Sequence, residues 1–140
     1  MKITFFKTIF ISVLFLGSSL YAQTQKDVLS YVKQFEINKS EYIGKPFSYL
    51  LSKLSAQTQP KKVWFTPNLN NKNIVLTSTF SLNKKEDDYV NAIRLYIKWQ
   101  EPIPFVNVDY YYKKNKTFFT EEEKNFYGDK IIKDILVGGN

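Results

Sequence analysis

The sequence predicts an α+β fold: an antiparallel meander of three or four strands, with helices before it in the chain and a C-terminal helix packed on it. Three observations predict this. Residues 92–100 alternate, with Ile93, Leu95, Ile97 and Trp99 on one side of a period of two and Arg94, Tyr96, Lys98 and Gln100 on the other, the pattern of a half-buried strand. Residues 74–82 alternate in the same way. Helical spacing comes before these strands, and a capping box comes after them.

The first 22 residues read as a secretory signal peptide. Lys2 and Lys7 precede the apolar run from Ile9 to Leu16, Gly17-Ser18-Ser19 break it, and Ala22 offers a small residue for cleavage before Gln23. Extended to Leu20 the run reaches 12 residues, whereas a membrane span needs about 20, so length favours cleavage over anchoring. Cleavage removes two lysines and no acid, taking the formal charge from +7 to +5. The remaining residues 23–140 are expected to form one domain, periplasmic or secreted, with no stable membrane span. A chain of that size buries about two thirds of its unfolded surface, enough for one core.

With no cysteine and no histidine in the chain, disulfides, a lipid-bearing N-terminal cysteine, Cys/His zinc sites and Ser-His or Cys-His nucleophiles are all excluded. What remains for chemistry is carboxylate, hydroxyl, Tyr and Lys.

Along the chain, Val28, Tyr31, Val32 and Phe35 predict a helix over 27–36. Pro46 at a first helical position, with Phe47, Leu50, Leu51 and Leu54 behind it, predicts a second over 46–55, and Gly44 is expected to supply a turn that a side chain would obstruct. Val63, Trp64 and Phe65 predict a strand over 61–66, and the Asn-rich stretch 67–73 a turn. In the strand 74–82, Ile74, Leu76, Phe80 and Leu82 should be buried, and Val75, Thr77, Thr79 and Ser81 should face the other way. A polar connection, 83–91, leads to the central strand, which Glu101-Pro102 should end. The residue types of 104–113 allow strand or helix; Asn107 and Asp109, poor strand interiors, favour a helix with Phe105, Val108 and Tyr112 on one face. Thr120 and Glu123 make a capping box for a last helix. Its face should carry Tyr127, Gly128, Ile131 and Ile135, with Gly128 allowing close approach to the sheet, Lys130 and Lys133 near its end, and Gly138-Gly139 stopping it.

Phosphate-cradling glycine motifs and the G-x-S-x-G elbow are absent, and no cofactor or metal is expected. Glu86-Asp87-Asp88 clusters carboxylates without calcium-loop spacing and reads as a solvated loop. Glu101 with Asp109 or Glu86 is the one candidate carboxylate pair for a hydrolase. Two surfaces have binding composition. Arg94, Tyr96 and Lys98 share the wet face of the central strand, where Trp64 would join them if it faces the same way, unless the last helix covers that face. Tyr110, Tyr111, Lys113 and Lys114 interleave aromatics with cations, a pattern that suits sugars or anions. Export argues against nucleic acid, so an envelope component or another exported protein is the expected partner.

Tyr42-Ile43-Gly44-Lys45-Pro46-Phe47 with Leu50-Leu51, the strand end Tyr96-Ile97-Lys98-Trp99, and Phe126-Tyr127-Gly128 followed by Ile131 to Ile135 together resemble small, uncharacterised, leader-bearing proteins of Gram-negative bacteria. That resemblance implies export and a compact α+β fold. Residues 44–54 alone are similar to the opening helix of PASTA domains, which implies contact with cell-wall material. The expectation is a non-enzymatic exported binding or interaction module, with a carboxylate-dependent hydrolase of envelope glycan, or an inhibitor or immunity-type protein that blocks another exported protein, as alternatives.

Overall fold

A computed structural model describes residues 26–82 and 91–139. The predicted leader, 1–22, and the acidic loop Glu86-Asp87-Asp88 lie outside them. The chain divides into two units, Met1–Tyr31 and Val32–Asn140. Residues 26–31 of the first are helical, and residues 32–37 of the second are helical (α1), in agreement with the spacing of 27–36.

In the second unit, strands β1 (Lys62–Pro67), β2 (Ile74–Ser81), β3 (Arg94–Pro104) and β4 (Ile132–Gly138) form one antiparallel meander in the order β1-β2-β3-β4. Helix α2 (Phe47–Lys53) precedes the sheet, and α3 (Phe105–Asn115) and α4 (Glu121–Gly128) fill the link from β3 to β4. The inner face of the sheet is the core. Val63, Phe80, Leu95, Ile97, Trp99, Ile135 and Val137 are all buried there, each such side chain contributing about 1.5–3 kcal/mol. Phe80 is the hub: Phe47 of α2 lies 4.6 Å from it, and Phe119 and Tyr127 approach edge-on at 5.4 Å. Trp99 stacks on Tyr127 at 5.6 Å, and Ser78 takes the Trp99 indole N–H at 3.0 Å, so the polar handle of the largest core residue is satisfied. Phe65 meets Phe105 and Tyr112 of α3 at 5.6 and 5.4 Å. Helices α2, α3 and α4 therefore all pack on the inner face.

The helix favoured for 104–113 is present, with Val108 buried and Pro104 at its N-terminal boundary. Thr120 and Glu123 form the predicted capping box. Gly44 has φ +81° with open space around it, so its backbone conformation, not crowding, requires glycine.

Four expectations are corrected. The last helix stops at Gly128, and residues 132–138 form an edge strand. A register shift between Lys98 and Trp99, which pairs Trp99 with Ile132 and Lys98 with Asp134, places an extra residue at Lys133. That bulge stretches the buried pair Ile132 and Ile135 to an interval of three, which imitates helical spacing. Lys130 and Lys133 consequently serve no helix end, and Gly138 closes a strand. Gly128 does not approach the sheet; its neighbour is Ser48 of α2, which a Cβ would meet at an ordinary 3.6 Å. In β2, Val75 is buried while Ile74 and Leu76 are half-buried, because a bulge between Val75 and Thr77 shifts the phase. Strand β3 passes Glu101-Pro102 and runs to Pro104; Trp99 to Pro102 stand opposite the bulge at Leu76, where the missing N–H of Pro102 breaks no ladder bond.

The outer edge of β4 is closed against further strands. Gly44 N–H and Lys45 C=O bond Ile132 at 2.8 and 3.0 Å. Glu36 accepts from Val137 N–H at 3.0 Å while Lys33 donates to Val137 C=O at 2.6 Å. Asp134, held by Lys39 at 2.6 Å, accepts from Ile135 N–H at 2.9 Å. Edge groups occupied in this way cannot template a neighbour.

Candidate functional site

The face of the sheet turned away from α2, α3 and α4 carries the first predicted cluster. Register places its side chains in rows: Lys62, Ser81, Arg94 and Gly138; Trp64, Thr79, Tyr96 and Leu136; Thr66, Thr77, Lys98 and Asp134. Trp64 does face the same way as Arg94, Tyr96 and Lys98, the condition under which it joins them. The final helix does not cover this face, since the chain it was expected to occupy forms β4. Trp64 and Tyr96 stand two strands apart, about 10 Å between Cα atoms, with Thr79 between them only 3 % exposed. The middle strand therefore contributes a floor of small hydroxyl side chains flanked by two aromatic rings.

The orientation of Tyr96 follows from Gly138. A Cβ there would stand 3.0 Å from Tyr96 Cε2 and 3.4 Å from its hydroxyl oxygen, so the ring lies across bare backbone. Arg94 stands 5.9 Å from the centre of that ring, within cation–π reach. Of the described residues of this face, Lys62, Arg94 and Lys98 carry positive charge and Asp134 negative charge. The Lys39 hydrogen bond holds the Asp134 carboxyl below the usual carboxylate range. Basic side chains outnumber acidic ones among the described residues of this face, and Leu136 adds an apolar corner, 52 % exposed.

The second cluster lies elsewhere. Helix α3 packs on the inner side, so Tyr110, Tyr111, Lys113 and Lys114 are not brought to the sheet face. Tyr111 leans on Phe126 of α4 at 4.7 Å and meets Tyr110 edge-on at 5.1 Å. Lys113 pairs with Asp109 at 2.7 Å and Lys114 with Glu122 at 2.6 Å. Hydrogen bonds from Lys114 and Asn115 lower the Glu122 pKa, and Glu122 raises that of Lys114. Lys113 is thus paired within α3 and Lys114 across the α3–α4 joint.

For the candidate carboxylate pair, Glu101 is exposed on β3 and Asp109 is ion-paired to Lys113; Glu86 lies outside the described residues. A glycosidase acid needs a carboxyl shielded from water to hold its proton, and neither described carboxylate is buried. The deeply buried acid is instead Glu123, which accepts from Thr120 N–H at 3.0 Å, the Thr120 hydroxyl and Asn115 at 2.7 Å. That is the capping box, a structural duty. Among the described residues, no group of three acidic side chains could hold a metal ion, and no helix is long and apolar enough to cross a membrane.

One feature has no signal in the sequence. A cleft of about 460 Å³ opens between α2 and the start of α4, with Leu51, Leu54, Pro60 and Phe119 beneath and Ser52, Gln59, Glu121 and Lys124 at the rim. Its walls are about 65 residues apart in the chain, and only packing joins them. No protein-family model, curated protein or solved structure matches the chain.

Proposed function

We propose that this protein is a non-enzymatic binding module, exported to the bacterial envelope, that holds an extended anionic partner against the outer face of its sheet. The observation that carries the reading is the row Trp64, Thr79, Tyr96, with Lys62 and Arg94 on one side and Lys98 on the other. Aromatic rings at fixed spacing give flat contact area with little entropy to lose. The cations attract phosphate or carboxylate groups. An envelope glycan bearing phosphate, such as lipopolysaccharide, has the matching chemistry.

Co-sedimentation and calorimetry with purified lipopolysaccharide and with peptidoglycan test the proposal. Lipopolysaccharide should bind, and Tyr96→Ala and Lys98→Glu should each weaken binding about tenfold, the loss of one aromatic or one charge contact. No binding to either material at low ionic strength would sink it. The same Trp, Tyr and Arg composition suits a protein partner, so an inhibitor or immunity-type role is the second reading. A neighbouring gene for an exported toxin or enzyme, whose product binds this face, would favour that role.

A further inference from the structure

We infer that the cleft between α2 and α4 is a second binding site, for an uncharged saccharide ring. The inference is independent of the outer face of the sheet. The volume, about 460 Å³, falls in the range of small-ligand sites. Its floor is apolar: Leu51 and Leu54 are buried, and the half-exposed Phe119 is held edge-on by Phe80 at 5.4 Å. A pyranose presents C–H groups on its ring face, which such a floor accommodates.

The rim determines the ligand's polarity. Gln59 donates both amide hydrogens to the protein, to Leu51 C=O at 2.9 Å and Leu54 C=O at 3.0 Å, so its amide oxygen is what it can offer. Ser52 donates its hydroxyl hydrogen to Tyr49 C=O at 2.6 Å, which likewise leaves acceptor lone pairs. Glu121 is an acceptor by nature. A ligand that complements these groups must offer donors, with an acceptor for the Lys124 ammonium, and hydroxyl groups around an apolar ring, which both donate and accept, meet that demand. Glu121 and Lys124 stand 3.7 Å apart and balance one another, so the mouth carries no net charge to select an ion.

Nuclear magnetic resonance titration of the purified protein with cellobiose, maltose and N,N′-diacetylchitobiose tests this, with inorganic phosphate as the charged control. At least one disaccharide should shift amide signals within residues 48–60 and 119–124 and spare the outer sheet face, while phosphate should leave those segments unmoved. Phe119→Ala should weaken binding about tenfold. Because that variant also loosens the contact with Phe80, Ser52→Trp provides the second arm: Ser52 is exposed on α2, so the fold should survive, and the new ring should fill the cleft and abolish the shifts. The inference fails if no disaccharide moves these segments, if phosphate moves them instead, or if the shifts persist in Ser52→Trp.

Discussion

At the scale of single residues, two positions do more than their size indicates. Gly138 lets the Tyr96 ring lie flat on the backbone of β4. Gly138→Ala places a methyl group 3.0 Å from Cε2, so the ring must swing toward Arg94 or the strands must part. The expected result is a loss of about 1–2 kcal/mol, read by urea denaturation, with a changed near-ultraviolet dichroism of the tyrosines. An unaltered spectrum and midpoint would show that the ring does not depend on this glycine. Ser78 is fully buried on the inner face and serves Trp99 at 3.0 Å and also Tyr127. Burial pushes the Tyr127 hydroxyl well above the usual tyrosine range, so it remains a neutral hydrogen-bonding group. Ser78→Ala leaves a buried indole N–H without its acceptor, a cost of about 1–3 kcal/mol. The measurement is the shift in tryptophan emission together with the unfolding midpoint.

At the scale of elements, the capping box explains why the short helix α4 forms at all. Its eight residues would not hold as an isolated helix, and Thr120→Ala removes the side chain that accepts from Glu122 N–H at 3.2 Å. The expected destabilisation is about 1 kcal/mol, measured by thermal unfolding; Thr120→Ser should retain most of the stability. The clasps on the β4 edge have a pH signature. Lys33 lowers the Glu36 pKa and Lys39 lowers that of Asp134. The folded state therefore binds fewer protons than the unfolded chain around pH 4. Stability from these clasps is full above the ordinary carboxylate values and falls as pH drops through the lowered ones. Denaturant midpoints should decline below about pH 4, and Lys39→Ala should flatten the part due to Asp134. A decline identical in the variant would show that this clasp contributes nothing to acid sensitivity.

At the scale of the whole second unit, the meander separates two kinds of surface. The inner face holds the helices and, at their junction, the neutral cleft; the described residues of the outer face are rich in basic and aromatic side chains. The two surfaces should respond differently to salt. Binding of an anionic glycan to the outer face is expected to weaken several-fold between low and physiological ionic strength, as screening shortens to about 8 Å, whereas saccharide binding in the cleft should be unaffected. Parallel titrations at two salt concentrations check this, and equal salt dependence at both sites would contradict the assignment of charge.

Much of this was readable from residue order, because period and capping are local properties. The alternation of Ile93 to Trp99, the spacing of Phe47 to Leu54, the asparagines of the 68–73 turn and the Thr120–Glu123 pair each identify an element from a few adjacent side chains. The clustering of Trp64 with Arg94, Tyr96 and Lys98 on one face also followed from strand period, once the register was known. Tertiary structure alone decided the rest. A bulge at Lys133 disguised β4 as helix, a bulge at Leu76 shifted the phase at the start of β2, and α3 packed inward, keeping its tyrosines and lysines apart from the outer sheet face. Each depends on which distant backbone pairs with which, and the α2–α4 cleft exists only after that pairing is made.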